Sequence, residues 1–215
     1  NYISLLGWSY DDKREFFTRA ELEELFSLEK INKAPAVFDY KKLEWFNGNY
    51  IRELSSEELY QRILPYLTEA ELVTDPPRTE ERETVMGALP LIQERLRVLS
   101  DAPDLLRFLL TEPAVAPPEE FLGKKMTIGD AYEYLTVCRG LLEDFDSRSH
   151  DENEEIFRSK AEELDAKIGQ LLTPLRVAIT GSRVSPPLFG SIALLGSEAA
   201  RKRVDAALEA LGNAR

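Results

Sequence analysis

Two guanidinium groups, Arg176 and Arg183, stand in the run Gln170 to Ser197, which holds no aspartate or glutamate. An even spread of the 39 acidic residues over 215 positions would place about five there. A planar, permanently charged guanidinium binds a phosphate or the edge of a nucleobase through paired hydrogen bonds. The stretch LRVAITGSRVSPPLFGSIALLG, residues 175–196, sets Gly, Ser and Pro between two apolar segments, which calls for a turn joining two helices. With a formal net charge of −12, the chain is a poor indiscriminate polyanion binder, because that affinity comes from clustered Lys and Arg. An acid-free patch within an acidic bulk favours one local geometry, and hence selectivity.

Other chemistry lacks its parts. One histidine, His150, lies in the most polar stretch, and one cysteine, Cys138, in a helical one, so no nucleophile-and-base triad can be assembled. Neither GxxxxGK[ST] nor GxGxxG occurs. The pairs Glu57–Glu58 and Glu154–Glu155 fall at helix starts, where solvated charge is expected. GKKMTIGD, residues 123–130, reads as a loop and a helix start at Thr127. A lone cysteine gives no internal disulfide and no zinc site, and implies a reducing, cytoplasmic setting. No run approaches the roughly 18 apolar residues of a membrane span. Ile3, Leu5, Leu6 and Trp8 read as the end of an apolar segment already under way, so we expect a piece of a longer protein.

The elements that must position the arginines are helical, and the class is all-α. Period-2 alternation is scarce, whereas Thr18 with Glu21, Ser55 with Glu58, Thr68 with Glu71 and Thr127 with Asp130 have the spacing of capping boxes. Up to about residue 75 the helices are short and broken by NKAPAVFD. Leu22, Leu25, Phe26 and Leu28 give one packing face, and Phe38, Leu43, Trp45, Phe46 and Tyr50 an aromatic one; Trp8, Trp45 and Phe46 read as core. TDPPRT, residues 74–79, marks a hinge or boundary. Longer helices are expected over about 80–99, 103–111, 128–146 and 151–168, with a kink or break near Ala88 and Leu89 ahead of Pro90. The stripe Leu164, Ile168, Leu171, Leu172, Leu175 should stop and restart, Thr173 capping and Pro174 first in the new helix. Gly181 should close it in the left-handed region, Ser185 and Pro186 open the next helix, Gly196 end that one and Ser197 cap the last.

Three blocks carry a resemblance. NYISLLGW, KAPAVFDYKKLEWFNGNYIR and IGQLLTPLRVAITGSRVSPPLFGSIALLG, in that order and spacing, are similar to the part of bacterial glutamyl-tRNA synthetases, class I aminoacyl-tRNA synthetases, that follows the catalytic core. The resemblance implies a helical stem-contact module over residues 1–77 and an α-helical anticodon-binding bundle over 78–215. It implies tRNA(Glu) as partner, with the catalytic domain of the same polypeptide, and no membrane or DNA. ATP and Mg would belong to the parent ligase; no cofactor is expected in this chain, which would not catalyse on its own. Carried over by position, the anticodon contacts fall on Arg176, Ser185 and Leu188, with Thr180, Gly181, Pro186 and Phe189 shaping the pocket. Ser185 stands where many relatives have Thr, keeping the hydroxyl. An arginine reading the third anticodon base is either Arg95 or Arg97, and Lys41, Lys42 and Arg52 are the stem-phosphate candidates.

Several residues keep two readings. Phe189 fits a base stack or core packing, and Leu188 either contact or core. An all-helical protein–protein adaptor without RNA binding also fits the charge and helix content, but it does not account for the acid-free run or the order of the blocks.

Overall fold

A computed structural model describes residues 1–32 and 35–215; Lys33 and Ala34, within the second matched block and the expected NKAPAVFD break, lie outside the described residues. The chain is helical, with no strand among those residues. In order run α1 (Arg19–Leu25), α2 (Tyr40–Arg52), α3 (Ser56–Glu69), α4 (Thr79–Ile92), α5 (Ala102–Leu110), α6 (Ile128–Leu141), α7 (His150–Glu163), α8 (Ile168–Thr180), α9 (Leu188–Leu195) and α10 (Ser197–Asn213). No helix is long and apolar enough to cross a membrane, as far as the described residues go.

Local chemistry explains most of the starts. Thr18, Ser55 and Thr127 close the expected capping boxes on α1, α3 and α6. Ser149 does the same for α7 through Glu152, at the polar stretch that holds His150. The Thr68–Glu71 pair is not a cap: Thr68 lies within α3, and Glu71 turns the chain with a φ of 56°. The expected 80–99, 128–146 and 151–168 helices end early, at Ile92, Leu141 and Glu163, the first two passing into further turns. The helix period in the apolar residues outlasts the helix because those turns also bury Leu96, Leu142 and Phe145.

Pro174, expected to restart a helix, sits inside the continuous α8, and Pro90, where a kink or a break was expected, leaves α4 unbroken. A mid-helix proline costs about 3 kcal/mol through a lost hydrogen bond and a clash. In α8 the offset is burial, since Leu171, Leu175, Val177 and Ile179 are all enclosed as the helix packs among α6, α7 and α10. Each such side chain contributes about 1.5–3 kcal/mol. Thr173, expected as a cap, instead donates its hydroxyl to the Gly169 carbonyl at 2.6 Å.

Apolar residues gather into two clusters. One joins α3, α4 and α5 through Leu59, Ile63, Leu67, Val85, Leu89 and Leu106. It runs across the 77/78 division, and the TDPPRT stretch there is stitched by Glu81, whose carboxylate takes Thr74 and Arg78 at 2.7–3.1 Å. The other joins α6 through α10 around Leu135, Leu142, Phe157, Leu171, Ile192 and Val204. Ahead of both lies an aromatic region in which Tyr2, Trp8, Phe17 and Phe46 are buried. Trp45, expected in the core, is 48% exposed, its ring leaning on Phe16 and Phe46 from outside. Leu28 is also outside its expected face, because it belongs to a 3-10 turn beyond the end of α1 and leaves the helical period.

The clusters dock through a reciprocal fit of α4 and α9. A Cβ added to Gly87 of α4 would meet Leu194 Cδ2 at 2.9 Å, and one added to Gly190 of α9 would meet Leu91 Cδ2 at 2.7 Å. Each helix offers a leucine to the other's glycine, so the axes come close. This contact sets the end of α4 beside the α8–α9 turn.

Candidate nucleic-acid interface

The acid-free run is mostly interior. Leu171, Leu175, Val177, Ala178, Ile179, Leu188, Phe189 and Ile192 are buried, and its exposed part is largely the turn from Gly181 to Val184. The absence of acids therefore reflects the core of the second cluster, where an unpaired carboxylate is penalised; it is not a broad binding surface. The turn is what reaches solvent.

That turn is built from its own backbone. Gly181 adopts φ 72° as the C-cap of α8, a conformation open to glycine without a Cβ clash, and its N–H reaches the Val177 carbonyl at 2.8 Å. Arg203 of α10 donates to the Ile179 carbonyl at 2.6 Å, placing positive charge on the negative pole of α8. No sequence signal singled out Arg203. The hydroxyl of Thr180 lies 2.9 Å from the Arg176 carbonyl and accepts the Ser182 N–H. Ser185 and Pro186 do not open a helix: α9 begins at Leu188, and Pro187 holds its N-cap position. Gly196 closes α9 as expected. Ser197 is the first residue of α10, its hydroxyl donating to Asp146 at 2.6 Å.

Arg176 occupies the hinge of this structure. Its Nη1 donates to Ser185 Oγ and, at 3.1 Å, to the Pro186 carbonyl. Both acceptors are neutral, and no carboxylate pairs with it among the described residues. Half-burial holds its pKa below the ordinary arginine value, and the nearby Arg95 charge adds to the effect. One guanidinium is thus half-enclosed among neutral acceptors, and the charge of a second, exposed one acts on it from nearby.

Arg95 and Arg97 differ in what already occupies them. Arg97 lies 3.3 Å from Glu44 and 3.8 Å from Asp101. Arg95, at the end of the 3-10 turn following α4, has no hydrogen-bond or ion-pair partner among the described residues. Both line an open groove of about 430 Å³ with Asp101, Asp104, Leu105 and Val184. Val184, 76% exposed between Arg183 and Ser185, escaped sequence reading although a β-branched residue in a Gly-, Ser- and Pro-rich turn was a visible signal.

The remaining candidates fall in three kinds of place. Arg183 donates to the Glu119 and Glu120 carbonyls at 2.6 and 2.8 Å and lies 3.3 Å from the Glu120 carboxylate, so it pins the turn to the 118–121 segment. Ser185, Pro186 and Leu188 are buried, and Phe189 packs on Phe145 and Phe157 at 6.1 and 5.1 Å, a core arrangement. Lys41, Lys42 and Arg52 lie on α2, far along the chain. Lys42 pairs with Glu15 at 2.5 Å and Arg52 approaches Glu94 at 3.8 Å, whereas the Lys41 amine is exposed without a partner among the described residues.

Little else offers chemistry. Cys138 is buried, and burial pushes its thiol pKa up, away from the reactive thiolate. His150 opens α7, edge-on to Phe189 and 3.5 Å from Glu154. No group of three His, Cys, Asp or Glu residues suited to a metal occurs among the described residues.

Residues 58–208 match the anticodon binding domain family. Over 211 residues the chain is 46% identical to a glutamate–tRNA ligase of Borrelia duttonii, covering 98% of this chain and 42% of that protein. A glutamate–tRNA ligase of Treponema denticola is 39% identical over 227 residues, covering 97% of this chain and 45% of that protein. The chain therefore spans less than half the length of these relatives. A crystal structure of a glutamate tRNA ligase from Elizabethkingia meningosepticum, in complex with its amino acid, shares the fold with a TM-score of 0.74 at 24% identity, covering 98% of this chain and 41% of that one.

Proposed function

The chain belongs to the anticodon-binding domain family, and on that premise we propose that it grips the anticodon arm of tRNA(Glu) as the recognition part of a cytoplasmic glutamate–tRNA ligase. The ATP- and Mg-dependent ligation of glutamate would belong to a catalytic domain of the same polypeptide, and this chain would hold no cofactor of its own. The α8–α9 turn and the end of α4 receive the opened loop, and Lys41, Lys42 and Arg52 on α2 face the stem phosphates.

The observation that carries this reading is that Arg176 is held by neutral groups, with no carboxylate partner among the described residues, while the Arg95 charge acts on it from nearby. Arg176 is desolvated yet its protein acceptors, Ser185 Oγ and the Pro186 carbonyl, are neutral. An oxygen of a base or phosphate entering here relieves the repulsion between the two cations and adds a charge-assisted hydrogen bond, worth about 1.5–3 kcal/mol. Unstacked loop bases offer such oxygens on their exposed edges, whereas the deep groove of an RNA helix hides them.

The test is direct binding of the tRNA(Glu) anticodon stem-loop against a hairpin of the same stem with a scrambled loop. The expected result is salt-sensitive binding with a clear preference for the tRNA(Glu) loop. Equal affinity for both hairpins would sink the assignment, and capture of proteins in a manner insensitive to ribonuclease would favour the adaptor reading.

A further inference from the structure

The groove beside Arg95 carries charge of both signs, and its two carboxylates are not equivalent. Asp101 is part of the fold: its Oδ2 accepts the Arg97 and Val98 N–H groups at 3.2 and 3.3 Å and lies 3.8 Å from Arg97 Nε. Asp104, in the first turn of α5, is exposed and has no hydrogen bond or ion pair among the described residues. It lines the same groove as Arg95, Leu105 and Val184. An unoccupied carboxylate in a site for a polyanion opposes binding unless the ligand brings it a donor.

We propose that Asp104 is a specificity-determining residue that keeps the RNA backbone out of this groove, so that Arg95 is engaged by a base edge. This rests on the anticodon reading above and deepens it. Two kinds of acceptor compete for an exposed guanidinium in a single-stranded loop: phosphate oxygens, which every nucleotide carries, and base edges, which carry the sequence. A phosphodiester is anionic and offers no donor, so Asp104 repels it. A base edge presents an N–H beside its acceptor oxygen or nitrogen, so Asp104 can accept while Arg95 donates. Leu105 and Val184 add apolar surface that a base ring can cover and a phosphate cannot. The carboxylate lowers affinity for the phosphate backbone, adds to the hold on a matching base edge, and so raises the ratio between right and wrong loops.

The experiment uses the full 215-residue chain, the tRNA(Glu) anticodon stem-loop and the scrambled-loop hairpin, titrated at several salt concentrations. Asp104→Asn is expected to raise scrambled-loop affinity about threefold and cut the preference about tenfold. The slope of log affinity against log salt for the scrambled loop should steepen by about 0.7, the signature of one added phosphate contact on a single strand. Asp104→Glu should keep the preference. Asp151→Asn, the same charge change in the first turn of α7, should leave the preference as in the unaltered chain. The inference is overturned if Asp104→Asn leaves the preference intact, weakens both hairpins equally as a folding defect would, or is matched by Asp151→Asn. An unaltered chain with no preference instead overturns the anticodon reading itself, and this inference with it.

Discussion

At the amino-terminal end Arg14 pairs with Glu21, Lys42 with Glu15 and Arg52 with Glu94, while at the α8–α9 end Arg176 meets a hydroxyl and a carbonyl, and Arg95 no protein group among the described residues. Exposed ion pairs contribute about 0–1 kcal/mol to stability, so the pairing matters here for competition. A phosphate approaching Lys42 must displace Glu15, whereas an RNA oxygen approaching Arg95 displaces water. In the folded charge pattern Arg176 and Arg95 are free of carboxylate partners among the described residues, whereas Arg14, Lys42 and Arg52 are paired.

That contrast gives graded tests. Arg176→Ala should weaken anticodon stem-loop binding about thirtyfold, and Arg176→Lys should recover little, because a point charge cannot reproduce the planar fork held by Ser185 and Pro186. A loss below threefold would erase the distinction between the two ends. Arg95→Ala should weaken binding about tenfold and Arg97→Ala less than twofold; the reverse order would show that existing ion pairs do not decide availability.

Smaller effects come from the scaffold and the stem side. Gly190→Val overpacks the α4–α9 contact and should cost about 1–3 kcal/mol, read as a loss of about 2–10 °C in Tm, with Leu91→Val on the same chain restoring part of it. Lys41→Ala should reduce affinity about twofold to threefold for both hairpins and shallow the salt slope, and Lys42→Ala less, since Glu15 already shields it. Finally, Glu81 is held down to about 2 by the Arg78 side chain first, and by Thr74 and the Arg78 N–H. Because its folded pKa is depressed, its stabilisation is present above the ordinary value of 4.5 and fades as pH falls from there towards about 2. Tm measured over that window should fall more steeply in the unaltered chain than in Glu81→Gln.

Most elements could be read from local chemistry. Three of four capping boxes formed, Gly181 took the left-handed cap, and the resemblance to glutamyl-tRNA synthetases is borne out by relatives aligned along nearly the whole chain. The errors share a cause. Pro174 looked like a stop and restart because a one-dimensional reading contains the local penalty but not the packing that offsets it. Arg95 and Arg97 looked alike because the carboxylates that separate them come from positions as distant as Glu44.

By itself the sequence determined the all-helical class, the ends of many helices and the place of the arginine-bearing turn, because caps, glycine conformations and helical periods act over three or four residues. Only the tertiary structure decided that the acid-free run is chiefly interior, that Gly87 and Gly190 let α4 and α9 approach, and that Arg176 is half-buried against Ser185 and Pro186 with no carboxylate partner among the described residues. Those outcomes depend on burial and on charges brought together from distant positions, and no spacing along the chain encodes how far such groups end up from one another.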